Sequence, residues 1–114
     1  MNIVKKIYCR IFQFCFKMAI PLLPYYNPQI LDSVAWGYYK SGDYSKALKY
    51  AQKAVRDMHS NAVLYMHLGD IYLALQRKQE AFSSYQKALK ADDGRTPQIE
   101  SLIQKKLDSL QPEE

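Results

Sequence analysis

Apolar side chains recur at helical spacing near both ends of the chain. Over residues 1–27, large apolar side chains fall on one side of a helix drawn at about 100° per residue, and basic and amide side chains fall on the other. Over residues 96–111, the same period places a stripe opposite a polar face. The stripe consists of Ile99, Leu102, Ile103, Lys106, Leu107 and Leu110. The pattern predicts an amphipathic helix at each end. The second, with Thr96 as its N-cap and Pro97 in its first turn, would cap the carboxyl end.

Between these helices the chain repeats itself at a shift of 34 residues. Recurrent small residues let two antiparallel helices approach closely, and tyrosines fill the space between their turns. The chain is therefore predicted to be all-α, a short helical solenoid whose two repeats span residues 28–61 and 62–95. Matched positions keep their size class in the pairs Val34 and Leu68, Ala35 and Gly69, Tyr38 and Tyr72, Ala47 and Ala81, Leu48 and Phe82, Ala54 and Ala88.

The turn inside each repeat carries different residues. In the first repeat, Gly42 can take the left-handed conformation that ends a helix, and Asp43 can cap the helix that follows. The second repeat has Gln76, Arg77 and Lys78 at this place. Because a side chain disfavours the left-handed conformation, a strained or slightly longer connection is predicted there.

The net charge of +5 is concentrated at the amino end. Lys5, Lys6, Arg10 and Lys17 all precede Asp32, the first acidic residue, and from Asp32 onward 12 basic residues accompany 11 acidic ones. Nucleic-acid binding usually needs a clustered basic face. The nearly neutral repeats therefore predict no nucleic-acid partner.

The basic amino-terminal segment has the pattern of neither a signal peptide nor a membrane span. Arg10 and Lys17 interrupt each apolar run, no small-residue cleavage site follows, and Pro21 and Pro24 close the segment. Two roles stay open for its helix: packing on the first repeat to cover an open end, or lying on an anionic membrane surface. The membrane contacts would be Lys5, Lys6, Arg10, Phe12, Phe14 and Lys17.

Catalytic chemistry finds almost no support in the sequence. Cys9 and Cys15 form no C-x-x-C pair, and His59 and His67 are not joined by a carboxylate at metal-ligand spacing. We expect His59 in a solvated turn and His67 on a helix surface. The Asp92–Gly94 segment lacks the further oxygen ligands of a calcium loop and is predicted to end a helix. No enzyme activity, cofactor or metal is predicted.

Both repeats resemble the tetratricopeptide-repeat family, whose pattern is W-x2-L-G-x2-Y, then A-x3-F, then a closing P. The second repeat matches through Tyr65, Leu68, Gly69, Tyr72, Ala81, Tyr85 and Ala88, with Asp93 in place of the proline. The first matches more weakly, through Leu31, Val34, Ala35, Tyr38, Ala47, Ala51 and Ala54, with His59 in that place. The resemblance implies stacked helical hairpins that serve as a scaffold.

In this family the first helix of each pair conventionally faces a concave groove, which implies a partner-binding surface here. Members that dock a terminal carboxylate carry a lysine and asparagine clamp, whereas acidic, aromatic and methionine residues stand at those positions in this chain. An apolar or amphipathic helix is the implied ligand, with Trp36 and Met66 as anchors, unless the protein's own terminal helices cover the stripe. By phase, the stripe consists of Asp32, Trp36, Tyr39, Lys40, Val63, Met66, Asp70 and Leu73.

The sequence thus predicts a cytoplasmic adaptor that binds a protein or peptide in its groove. The alternative is a peripheral membrane protein whose amphipathic amino-terminal helix recruits an assembly to the inner face of the membrane. A third hypothesis is a homo-oligomer, because a short solenoid exposes its ends.

A second, shorter resemblance lies in residues 8–31, which are similar to the leader of some bacterial iron-containing alcohol dehydrogenases. It is carried by stretches such as Tyr8-Cys9-Arg10 and Leu22-Leu23-Pro24. That family's glycine-rich cofactor loop and metal-binding histidines have no counterpart in the chain, so no activity is implied. The resemblance implies at most a docking or anchoring segment in bacteria.

Overall fold

A computed structural model describes residues 27–110, which form five α-helices. They are α1 (Pro28–Ser41), α2 (Tyr44–Asp57), α3 (Ala62–Ala74), α4 (Lys78–Lys90) and α5 (Pro97–Leu110). Helices α1 and α2 pack as one hairpin, α3 and α4 as a second, and α5 packs against α4. The all-α helical repeat is confirmed. The predicted amino-terminal helix, its suggested membrane contacts and most of the dehydrogenase-like segment lie outside the described residues.

Side-chain caps explain where most of these helices begin. A polar side chain accepts a hydrogen bond from a backbone N–H of the first turn, where no carbonyl of the helix itself can reach. The distances are 2.9 Å at α1, 3.2 Å at α2, 2.9 and 3.1 Å at α3, and 3.2 Å at α5. The capping residues are Asn27, Asp43, Asn61 and Thr96. The predicted caps Asp43 and Thr96 are therefore confirmed.

The turns inside the two hairpins have the same backbone geometry despite their different residues. The N–H of Asp43 donates to the carbonyl of Tyr38 at 2.9 Å, and the N–H of Arg77 donates to that of Tyr72 at the same distance. Gly42 adopts φ 88°, and Gln76, at the matched position, adopts φ 61°. The second connection is therefore strained, as predicted. It keeps the register of the first, because helices α2 and α4 both begin two residues after the left-handed one.

The core alternates small and large side chains, and the two hairpins do so in different ways. In the second hairpin, Gly69 lies under the ring of Tyr85, and a Cβ on Gly69 would approach the ring to 2.5 Å. The matched residues of the first hairpin are Ala35 and Ala51, both buried. The first hairpin has room for the methyl group of Ala35 because Ala51 has no ring where the second hairpin has that of Tyr85. Each hairpin fills its own space with a different division of volume.

Backbone hydrogen bonds also join the two repeats, outside the hydrophobic core. The loop after α4 runs beside the turn before α3, where the N–H of Ala62 donates to the carbonyl of Asp93 at 2.8 Å. In return, the N–H of Asp93 donates to the carbonyl of Ser60 at 3.0 Å. The Asp92–Gly94 segment ends helix α4, as predicted, since α4 stops at Lys90. It also ties the two inter-helix loops together.

Helix α5 covers the end of the second hairpin with only part of its predicted stripe. Ile103 and Leu107 are buried against the core, whereas Leu102 remains 43% exposed and falls outside the contact. Leu102 matches Leu68 at the repeat shift, and Leu68 is buried within the described stack. The prediction that Leu102 faces the core is therefore wrong. Within residues 27–110, no helix has the length and apolarity needed to cross a bilayer.

We predict that the effect of Gly69→Ala on the free energy of unfolding changes sign with the residue at position 85. In the wild-type protein it should lower the free energy of unfolding by about 1–3 kcal/mol, because the methyl group collides with the Tyr85 ring. In a Tyr85→Ala background, Gly69→Ala should raise the free energy of unfolding by about 0.5–1 kcal/mol, since alanine is more stable than glycine within a helix. Urea unfolding of the four proteins measures this cycle. An equal effect in both backgrounds would show that the contact does not limit the packing.

We also predict opposite effects for two substitutions at the left-handed positions. Gln76→Gly should stabilise the protein by about 0.5–1 kcal/mol, because glycine adopts the positive φ of 61° without a Cβ clash. Gly42→Ala should destabilise it by about 1 kcal/mol through the backbone alone, since a Cβ there meets nothing within 4 Å. Thermal unfolding monitored by circular dichroism measures both. A loss of stability in Gln76→Gly would show that the Gln76 backbone is not strained.

Candidate functional site

The first helices of the hairpins, α1 and α3, lie in contact, and α3 also contacts α5. Side chains from these three helices form a continuous set of contacts that we call the groove face. Its members are Asp32, Trp36, Tyr39, Lys40, His67, Asp70 and Lys106. The groove face therefore joins five residues predicted from the sequence with two that were not.

An aromatic stack lies at the centre of the groove face. The ring of Trp36 stacks on Tyr39, with centroids 4.6 Å apart, and on His67 of the next hairpin, with centroids 4.3 Å apart. The ammonium of Lys40 lies 5.2 Å from the centroid of the Trp36 ring. Trp36 and Tyr39 both remain partly exposed. The indole is thus held in one orientation by three neighbours while part of it still faces solvent.

A contact between an imidazole and a carboxylate joins α1 to α3 on one side of the stack. Nδ1 of His67 lies 2.7 Å and 3.0 Å from the two carboxylate oxygens of Asp32. Asp32 is only 7% exposed, so its carboxylate meets the imidazole in a partly desolvated setting. This contact orients the ring on which Trp36 stacks. His67 thus stands on a helix surface, partly exposed, and its contacts with Asp32 and Trp36 of α1 were not predicted.

Asp70 connects the groove face to the core. Its Oδ1 accepts a hydrogen bond from the hydroxyl of Tyr85 at 2.5 Å and another from Lys106 Nζ at 2.9 Å. Burial, together with the neighbouring Asp70 carboxylate, raises the pKa of Tyr85 well above its ordinary value. Burial and then Asp70 also raise the pKa of Tyr39. One carboxylate thus holds α3, α4 and α5 together beside the aromatic stack.

A family model for the tetratricopeptide repeat matches residues 35–96. The chain belongs to the tetratricopeptide-repeat family. The match covers more than half of the chain, beginning in α1 and ending just before α5. A search of curated proteins found no match. Tetratricopeptide repeats generally mediate protein–protein interactions, and the family is typically a non-catalytic scaffold.

Of the three remaining residues predicted for the tetratricopeptide groove, Met66 lies elsewhere. Met66, expected as an exposed anchor, is 6% exposed and belongs to the hydrophobic core, which corrects that prediction. Val63 is partly buried, and Leu73 is 37% exposed. Helix α3 carries apolar residues on every side, with only His67 and Asp70 charged or ionisable among them apart from the tyrosines, and other helices contact it on several sides. Its hydrophobic pattern therefore could not tell a groove position from a core position.

Sequence reasoning missed the roles of His67 and Lys106, although the repeat contains a usable signal. His67 lies 35 residues after its partner Asp32, and Lys106 lies 36 residues after Asp70. In a tetratricopeptide stack, residues about one repeat length apart lie on neighbouring first helices. A search for opposite charges at the repeat length plus one or two residues would have found both pairs.

We predict that Tyr85→Phe removes part of the loss of stability at high pH. Because the pKa of Tyr85 is raised above the ordinary value of 10.0, the unfolded chain releases its phenolic proton first, and stability falls as the pH rises above about 10. Urea unfolding should therefore show a smaller loss between pH 8 and pH 11 in the variant. At pH 8 the variant should be less stable by about 1–2 kcal/mol, through the lost hydrogen bond to Asp70.

The difference between the two proteins isolates Tyr85. Tyr38 and Tyr39 also have a raised pKa, in both cases chiefly through burial, and they are present in both proteins. Identical pH profiles for the wild-type protein and the variant would show that the phenol of Tyr85 does not carry the effect.

Proposed function

We propose that the protein is an adaptor that binds a protein or peptide segment on its groove face. The observation that carries this proposal is the partly exposed stack of Trp36 on Tyr39 and His67, which spans the two hairpins. Tryptophan and tyrosine dominate the binding energy of many protein interfaces. A stack already ordered before binding loses little side-chain entropy when a partner arrives. Trp36 and Tyr39 are therefore the proposed anchors.

The charges of the groove face support an apolar or amphipathic ligand. Asp32 contacts the imidazole of His67, and Asp70 is paired with Lys106, so both carboxylates already have partners within the fold. Lys40 adds a cation beside Trp36, and Leu73 of α3 adds exposed apolar surface. A helix presenting apolar side chains to Trp36 and Tyr39 suits this arrangement. A terminal carboxylate has no lysine and asparagine clamp to bind among these residues.

We predict that Trp36→Ala combined with Tyr39→Ala weakens partner binding by about 2 kcal/mol or more, because both anchors are lost. Affinity purification with the full chain identifies partners, and titration of each purified partner measures the dissociation constant. Trp36 is the only tryptophan of the chain, so its fluorescence also reports groove occupancy in the wild-type protein.

Leu102→Ala is the matched control, because Leu102 is an exposed apolar residue of α5 outside the groove face. It should leave the affinity unchanged. Circular dichroism must show intact helices in each variant, since Trp36 also stacks within the fold. Equal affinity of the folded double variant and the wild-type protein would reject the groove face as the binding site.

A second candidate function is peripheral membrane attachment, and the sequence pattern of the amino-terminal segment favours it. Lys5, Lys6, Arg10 and Lys17 lie opposite an apolar and aromatic side on a helical wheel. A basic amphipathic helix of this kind suits an anionic membrane surface. The adaptor would then be cytoplasmic and would recruit its partner to the inner face of the membrane. The two functions are compatible, since one uses the leader and the other the groove face.

We predict stronger binding of the full chain to anionic than to neutral vesicles, weakened by salt, because each basic residue near the surface adds about 1 kcal/mol. Vesicle sedimentation compares the full chain with a peptide of residues 1–26. Binding by both supports membrane attachment. Binding by the peptide alone would show that the apolar side is occupied in the full chain. Binding by neither at low salt would remove this candidate.

A further inference from the structure

Helix α3 also borders a concave surface on the side away from the groove face. A cleft of about 700 Å³ lies between α2, α3 and α4, and we call it the outer cleft. Tyr65, Leu68 and Tyr72 are the residues through which α3 lines it. At about 100° per residue they lie about 160° around the helix from His67 and Asp70. The outer cleft is therefore separate from the proposed partner site and does not depend on it.

The outer cleft has an ordered floor with apolar character. Leu68 and Val55 are buried, and Tyr65 and Tyr72 contribute ring surface. The Gln52 amide donates to the Tyr72 hydroxyl at 3.0 Å, which ties α2 to α3 across the floor. The volume falls within the range of pockets that bind small molecules, which is large enough to admit a peptide side chain. The cleft thus offers an apolar binding surface that is already ordered by contacts within the fold.

The charges at the rim of the outer cleft are unbalanced in favour of cations. Arg56 on α2 and Lys87 on α4 stand on opposite walls, and both are exposed. Glu80 is an acidic residue of the lining, but its two oxygens accept hydrogen bonds from Arg77 at 2.7 Å and 2.6 Å. The guanidinium of Arg77 also lies 5.0 Å from the centroid of the Tyr72 ring. The charge of Glu80 is thereby paired with Arg77. Glu80 therefore does not neutralise Arg56 or Lys87.

We propose that the outer cleft binds an acidic peptide segment that carries an apolar side chain. The carboxylates would pair with Arg56 and Lys87, and the apolar side chain would contact Leu68 and Tyr65 on the floor. A protruding peptide chain can enter a concave cleft between helices, whereas a planar membrane surface cannot reach its floor. Two cations are also few for nucleic acid, whose binding depends on many Lys and Arg contacts to phosphates.

The test measures fluorescence anisotropy of a labelled peptide, Gly-Glu-Glu-Leu-Glu-Glu, titrated with the full chain at low salt. A peptide with lysine in place of each glutamate controls for charge sign. Arg56→Glu and Lys87→Glu should each weaken binding about fivefold or more. Glu80→Gln should strengthen binding, because it removes the acidic group of the rim. Lys105→Glu on α5 is the matched control, since it changes the net charge equally, and it should leave the affinity unchanged.

The outcomes separate the outer cleft from other sites. Saturable binding of the acidic peptide, with the expected losses and the expected gain, supports the proposal. No binding at low salt, or equal losses in the Lys105→Glu control, would overturn it. A change in Trp36 fluorescence that saturates with the anisotropy would place the peptide on the groove face instead. Sedimentation with phosphatidylserine vesicles that requires Arg56 and Lys87, without peptide binding, would assign the cations to a membrane.

Discussion

The close approach of α3 and α4 at Gly69 is the constraint on which the rest of the structure depends. With no side chain at this position, the ring of Tyr85 can lie directly on α3, where it is fully buried. This depth brings the Tyr85 hydroxyl to the carboxylate of Asp70, the next residue along α3. Asp70 in turn holds Lys106 of α5. A missing methyl group in the core thus determines the position of a carboxylate on the groove face and the docking of the last helix.

The central position of α3 explains why the protein has two different surfaces beside this helix, the groove face and the outer cleft. Because the other helices pack around it, most of α3 is buried, and its polar residues lie mainly toward α1 and α5. On that side, Asp70 and His67 are each used in a contact between helices. On the opposite side, Tyr72 is held by Gln52 and Arg77. Both surfaces are therefore ordered by contacts within the fold before any ligand binds.

Contacts between the repeats are distributed over three kinds of interaction. Apolar side chains of α2 and α3 pack in the core, His67 pairs with Asp32, and the loop around Asp93 pairs with the backbone before α3. Each repeat of a solenoid contacts only its neighbours, so these interfaces determine whether a short stack unfolds as one unit. The backbone pairing at Asp93 adds polar contacts at a place where the family pattern would have a proline. A proline there could not donate the hydrogen bond that Asp93 gives to Ser60.

The sequence by itself determined the features that depend on near neighbours in the chain or on a pattern that recurs along it. The caps Asp43 and Thr96 and the strain at Gln76 follow from residues within a few positions of one another, and the 34-residue repeat follows from side-chain sizes that recur at that spacing. Only the tertiary structure decided that Met66 is buried, that His67 meets Asp32, and that Leu102 is left exposed. Helical periodicity gives the faces of one helix, whereas these three outcomes depend on which neighbouring helix covers each face.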